Sequence, residues 1–292
     1  MIASILHDME WVLPLRHEAL TPVFTVFTFL GFTEFFFGAL PLLYWCWNKE
    51  SGSRIAILTL ISGVLTLFFK DLFQDPRPPA GLAIDGLRPE SYGLPGGHTL
   101  MAIVFWGGLA VETKKRWILA IAVLMITGIS SSRLYLGVHD LEDVLGGAVI
   151  GFLLLTAFAF RKRCAPGCCR GLVPSAALFF FPILLILFWP HGDATGKMYL
   201  VTGFYVAWLS GRSLERKYLH FVSPTGWNRL GVAIAGIFLL ALMAYAFRTV
   251  IFSLRVPRVS APALGGLLIG IASSFVVPWI LVKSRLLQRS NS

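Results

Sequence analysis

The sequence predicts an all-α polytopic transmembrane helix bundle of about nine spans. Three observations predict it. The 292 residues are 56% hydrophobic, with a mean hydropathy of +0.74, well beyond the composition of a soluble domain. Apolar runs approaching or exceeding the roughly 20 residues a helix needs to cross a bilayer recur from end to end. The charged residues, only 14% of the chain, gather mainly between those runs.

Taken in order, apolar runs bounded by charge, proline or glycine predict spans over Thr21–Trp47, Arg54–Phe73, His98–Val111, Trp117–Leu136 and His139–Phe160. Four more follow over Leu172–Trp189, Met198–Ser210, Leu230–Ile251 and Pro262–Val282. Before the first span, "MIASILHDMEWVLPLRHEAL" carries acids and is too broken to be a signal peptide. It reads as a short interfacial helix with Trp11 and Arg16 at headgroup level. The aromatic "FTEFFFGALPLLYWCW" reads as lipid-facing surface, except that Glu34 is costly in lipid and is expected to line a cavity.

Alternating the spans gives one side 16 of the 25 basic residues, including Lys114–Arg116, Arg161–Arg163, Arg212, Arg216 and Lys283. That side is predicted to be cytoplasmic, with the N-terminus outside and the C-terminus inside. The arginines of "RTVIFSLRVPRVS" run against the rule locally. The net charge of +10 thus calls for membrane lipids as partner and for no nucleic acid. Cys46 lies near a span end, and Cys164, Cys168 and Cys169 share a basic loop without a nearby histidine. Idle or palmitoylated thiols fit this better than zinc or disulfides.

The outer-side charges are concentrated. Lys70 and Arg77 follow the second span in "FFKDLFQDPRPP". Arg133, His139 and Asp143 surround the turn after the fourth in "SSRLYLGVHDLEDV". A charge within a span costs about 2.5–3.5 kcal/mol on insertion scales. Each cation alone is explained by snorkelling to headgroups, but together they suit a dianion such as phosphate, gripped by arginine forks. On a helix, His139 and Asp143 share a face. The carboxylate fixes the imidazole tautomer and leaves the other nitrogen as nucleophile. His98, in "YGLPGGHTL" on the same side, is placed to give a proton to a leaving oxygen. The cations themselves provide transition-state stabilisation, so no metal or other cofactor is expected.

These residues resemble the three motifs of the type 2 phosphatidic acid phosphatase superfamily. "KDLFQDPRP" is similar to the first, "PGGH" to the usual Pro-Ser-Gly-His, and "SRLYLGVHDLED" to the third. The wording looks most like the sphingosine-phosphate phosphatase branch. The resemblance implies a membrane-embedded phosphatase core over residues 1–160, followed by additional helices over 161–292. It implies hydrolysis of a lipid phosphate monoester or pyrophosphate on the non-cytoplasmic face. Lys70, Arg77 and Arg133 would bind phosphate, His139 would form a phosphohistidine, Asp143 would orient it, and His98 would protonate the alkoxide. Gly96 stands where the family has serine. With Gly97 it is expected to offer backbone amides to phosphate, while Ser131 and Ser132 are nearby hydroxyls. Asp71 and Asp75 are expected to be solvated partners or turn residues, and His191 an exposed loop residue. Other readings of the chain are a lipid phosphotransferase and a catalytically reduced phospholipid-binding or transport protein. A haloperoxidase is disfavoured because such chains are soluble.

Overall fold

The structure, a computed structural model, describes residues 6–84, 91–164, 172–190, 195–257 and 260–289. Cys168, Cys169, His191, Arg88, Arg170 and Arg258 lie outside the described residues, as does the Cys164 side chain. Helices are α1 Thr21–Phe29, α2 Thr33–Leu42, α3 Lys49–Phe73, α4 Gly97–Thr113, α5 Arg116–Tyr135 and α6 Leu141–Cys164. They continue as α7 Leu172–Leu187, α8 Gly196–Leu214, α9 Asn228–Ser253, α10 Ser260–Ile271 and α11 Val277–Lys283. Among the described residues the only sheet pairs Phe221–Val222 with Gln288–Arg289, antiparallel.

Among the described residues, five helical segments are long and apolar enough to cross a membrane, or six if the bent pair α1–α2 is one span. The protein is an integral membrane protein. The expected nine is not confirmed. α4 has 17 residues and α7 has 16, while α8 carries Arg212 in its last turn and buries much of its length. The predicted first span is not one straight helix. It breaks between Phe29 and Thr33 and bends by 57°, and after Leu42 it widens into a π-helical turn over Leu43–Trp47. Glu34 lies exposed in the first turn of α2, where the positive helix end favours a carboxylate.

Two compact units make up the chain. One comprises Met1–Phe36 and Leu65–Arg170, the other Phe37–Val64 and Gly171–Ser292. In the second unit, glycines bring α8 and α10 into backbone contact: a Cβ at Gly266 would strike the Leu200 carbonyl, and one at Gly203 would lie 2.6 Å from the Ala263 carbonyl. Small residues at such crossings replace the hydrophobic drive that lipid removes. The same unit buries Glu215 against Lys49 at 2.8 Å, and Arg212 pairs with Glu50 at 2.5 Å.

The first unit holds all the predicted site residues, and its helix ends fix where they stand. α3 stops when Gln74 turns left-handed (φ 51°) and its amide closes onto the Lys70 carbonyl at 2.9 Å. α5 stops at Gly137 (φ +69°). There the Gly137 amide bonds to the Leu134 carbonyl (2.9 Å) and the Val138 amide to that of Arg133 (3.2 Å), the paired bonds of a Schellman ending. α6 starts three residues later, where the Asp140 carboxylate accepts from the Asp143 amide at 3.0 Å, an N-cap bond to the third helical residue. The segment before α1 is a six-residue 3-10 helix, Glu10–Leu15, with Trp11 exposed. Arg16 turns inward and donates to the carbonyls of Tyr135 (3.0 Å) and Leu82 (2.5 Å). The end of α5 leaves carbonyls that a guanidinium satisfies better than water does.

Candidate active site

The spacing Arg133-x5-His139-x3-Asp143 is the length of one helix ending, one tight turn and one helix start. Gly137 makes the turn possible, because a Cβ there would strike the Leu82 carbonyl and its φ disfavours other residues. Tyr135, Leu136 and Val138 pack beneath it against Phe24, Ala83 and Ile84. His139 is 1% exposed and Asp143 fully buried, with His139 Nδ1 and Asp143 Oδ2 2.6 Å apart. His139 is not itself helical, contrary to the shared-face expectation; it precedes α6, and the Asp140 cap brings the pair together.

The other imidazole nitrogen, Nε2, lies 3.2 Å from Arg77 Nη1. Arg77 ties two loops together, donating through Nε to the Ser91 carbonyl and through Nη1 to the Val138 carbonyl, both at 2.5 Å. Lys70, buried in the last turn of α3, donates to the carbonyls of Tyr92 and of Gly93, the latter at 2.6 Å. It thereby holds the strand of chain that enters "PGGH". Arg133 is 1% exposed, and its Nη1 donates to the Thr28 hydroxyl. Its Nε and Nη2 are buried with no hydrogen-bond partner among the described residues. Burial, followed by the charges of Lys70, Arg77, Arg133 and His98, holds the His139 imidazole well below the ordinary histidine range. Both causes favour the neutral form of the ring.

His98 is the second residue of α4, with the Phe32 ring edge-on at 5.1 Å. Gly96 precedes α4 as its cap residue, in an extended conformation. The structure corrects the expected role of its amide, which donates to the Asp143 carbonyl at 2.7 Å and is not available to a ligand. The reason is packing. A Cβ at Gly96 would lie 2.8 Å from that carbonyl, and one at Gly147 would strike the Gly96 carbonyl. The start of α4 and the first two turns of α6 thus touch backbone to backbone. Gly97 opens α4, where amides lack helical acceptors. Neither nearby serine substitutes for a motif hydroxyl here: Ser132 bonds back to the Ile129 carbonyl at 2.6 Å, and Ser131 is exposed.

Sequence reasoning missed four participants. Asp140 was legible as Asp-x-x-Asp ahead of an apolar run, a helix-start signal. Ser91, Thr28 and His7 carry no local signal. The exposed His7 imidazole bridges Asp140 Oδ2 (2.7 Å) and Glu142 Oε2 (2.9 Å). Asp75 is not the solvated turn residue expected. It joins Asp140 and Asp143 in a group whose carboxylate oxygens lie within 4.8 Å of one another. Its carboxyl is pushed above the usual range by burial and then by Asp140 and Glu142. These three acids are the described residues that could hold a metal ion; Lys70 and Arg77 act on Asp143 from nearby.

Residues 52–163 match the PAP2 superfamily. The match spans 112 of the 292 residues. Every predicted site residue falls inside it, and His7 and Thr28 fall outside. Over 134 residues the chain is 30% identical to Homo sapiens sphingosine-1-phosphate phosphatase 2, covering 43% of this chain and 34% of that protein. It is 30% identical over 138 residues to Arabidopsis thaliana lipid phosphate phosphatase delta, covering 41% and 33%. Bacillus subtilis phosphatidylglycerophosphatase B is 26% identical over 156 residues, covering 48% of this chain and 74% of its own length. The aligned part thus spans about a third of the first two relatives.

Proposed function

We propose that the protein is an integral-membrane phosphatase that hydrolyses a lipid phosphate monoester or pyrophosphate through a phosphohistidine, without a metal, on the non-cytoplasmic face. One observation carries this reading: His139 is held at Nδ1 by Asp143 (2.6 Å) while its Nε2 faces Arg77 (3.2 Å), beside an Arg133 edge with no partner among the described residues. A neutral imidazole in that setting has an oriented lone pair and a cationic seat for the group it attacks.

In the first step His139 Nε2 attacks phosphorus, the P–O bond to the lipid breaks, and His98 as imidazolium gives its proton to the departing alkoxide. Asp143 stabilises the charge that builds on the His139 ring. Lys70, Arg77, Arg133 and the Gly97 amide neutralise the three equatorial oxygens. Lys70 exchanges a backbone carbonyl for a phosphate oxygen to do so. In the second step water attacks phosphorus, His98 takes its proton, and the P–N bond breaks to release inorganic phosphate. A lipid substrate suits this site, because its tails stay in the bilayer while its phosphate enters the cationic cluster. The relatives named for sphingosine 1-phosphate, lipid phosphates and phosphatidylglycerophosphate support that substrate class.

The test uses purified protein in detergent with EDTA, offered phosphatidate, sphingosine 1-phosphate and a polyprenyl pyrophosphate. Phosphate release that vanadate inhibits and His139→Ala abolishes is the expected result. No release from any lipid overturns the phosphatase reading; full activity in His139→Ala overturns the nucleophile. Cysteine labelling of the "PPAGLAIDG" loop from outside intact cells checks the face.

A further inference from the structure

The break between α1 and α2 lies outside the PAP2 match, yet it touches two of the groups to which chemistry is assigned. α1 runs along α5: Phe24 stacks on Tyr135 at 4.2 Å, and a Cβ at Gly128 would strike the Phe27 ring. One turn further on, Thr28 is buried to 1% exposure and accepts a hydrogen bond from Arg133 Nη1. Gly31 and Phe32, in the break itself, lie against His98: a Cβ at Gly31 would come 2.5 Å from His98 Cδ2.

Thr28 differs from its neighbour Thr25. The Thr25 hydroxyl is exposed and bonds back to the Thr21 carbonyl at 2.8 Å, the ordinary fate of a threonine inside a helix. Thr28 instead meets a guanidinium. Arg133 forms no ion pair among the described residues, and five donors on a planar fork must be aimed by something else. With Nη1 held by Thr28, the remaining Nε–Nη2 edge is the one left without a partner among the described residues. That edge is the pair of parallel donors that binds an oxyanion bidentately.

We infer that Thr28 is a positioning residue for phosphate binding, its hydroxyl setting the guanidinium plane of Arg133 so that the Nε–Nη2 edge faces the phosphate. The inference rests on the proposed function for its substrate but on the Thr28–Arg133 contact for its geometry. A free guanidinium rotates about its own stem, so removing the hydroxyl leaves the charge in place and loses the aim.

Thr28→Val keeps shape and removes the hydroxyl; Thr28→Ser keeps the hydroxyl. Both are compared with wild type and with Arg133→Ala, alone and combined with Thr28→Val, after thermal unfolding in detergent has shown which variants fold. Thr28→Val is expected to lower kcat/KM by roughly 10- to 100-fold, the range for a lost hydrogen bond to a charged group. Vanadate inhibition should weaken in parallel, and Thr28→Ser should restore both to within a few-fold. In the Arg133→Ala background Thr28→Val should have no further effect, since a positioning residue acts through its partner. Multiplicative losses in the double variant, or wild-type kcat/KM in Thr28→Val, overturn the inference. Should Thr28→Val fail to fold, the Thr28→Ser variant decides alone: a loss there as large as in Arg133→Ala overturns it. If no lipid is hydrolysed by wild type, the proposed function fails. The positioning inference is then read from vanadate binding, which Thr28→Val must weaken to sustain it.

Discussion

Restoring the hydroxyl that the PAP2 motif usually carries, by Gly96→Ser, is expected to damage this protein. The backbone at Gly96 (φ −63°, ψ 97°) accepts any residue, so the difficulty is space. A Cβ there lies 2.8 Å from the Asp143 carbonyl oxygen and 3.2 Å from its carbon, where ordinary contact begins at 3.4 Å. The neighbour is backbone in the first turn of α6 and cannot rotate away. The start of α4 must therefore move off α6 by about half an ångström. That move stretches the 2.7 Å bond from the Gly96 amide to the same carbonyl. Overpacking of this kind costs about 1–3 kcal/mol, and a weakened hydrogen bond about 0.5–1.5 kcal/mol more. The displacement also moves His98 relative to His139, and a misplacement on the order of 1 Å reduces turnover about 100-fold. Thermal unfolding in detergent and phosphate release, measured on the same preparation, check both effects. A Gly96→Ser protein as stable as wild type and equally or more active would refute the packing argument and make the glycine a simple lost hydroxyl.

Further outcomes follow from other contacts. Asp140→Ala removes the α6 cap and should cost about 1 kcal/mol of stability, with a larger loss of turnover because the cap sets the His139–Asp143 pair. Equal fractional losses for Asp140→Ala and Asp140→Asn would argue against a capping role, since asparagine caps as well. The His7 imidazole is held above its ordinary pKa chiefly by its hydrogen bond to Asp140. Its bridge to Asp140 and Glu142 needs both ring N–H groups, so docking is complete below pH 6.5 and is lost as pH rises through the raised value. Hydrogen exchange over Glu10–Arg16 should therefore quicken with pH beyond the intrinsic rate, and His7→Ala should abolish that excess; an unchanged excess in the variant refutes the latch. Gly31→Ala sets a Cβ 2.5 Å from His98 Cδ2 and 3.1 Å from Ile129. It should slow release of alkoxide leaving groups far more than of p-nitrophenolate, which needs no proton, and equal slowing would count against His98 as the donor.

Particular residues show how far the site was readable. The order and spacing of Lys70, Arg77, His98, Arg133, His139 and Asp143 were visible because each motif is a local object. Lys70 and Arg77 follow one helix end, and Arg133 to Asp143 spans one Schellman ending and one cap. Asp140 was equally local and was overlooked as a capping residue. The inward turn of Arg16, the occupied amide of Gly96 and the break at Leu30–Phe32 were not readable, since each depends on which distant backbone lies opposite. Thr28 lies 105 residues from Arg133, and an isolated threonine in an apolar run gives no sign of a partner.

The sequence by itself determined that the chain is helical and membrane-embedded, because a bilayer demands long apolar runs whose backbone bonds are satisfied internally. The ionisable groups to which phosphate chemistry is assigned were equally legible, because their motif spacings are set by helix ends within a few residues. The tertiary structure decided which of those groups are free to act. Backbone contact between the start of α4 and α6 consumes the Gly96 amide, burial beside three cations disfavours the protonated form of His139, and the broken first helix brings Thr28 to Arg133. Those outcomes depend on packing between segments far apart in the chain, which periodicity and local spacing do not encode.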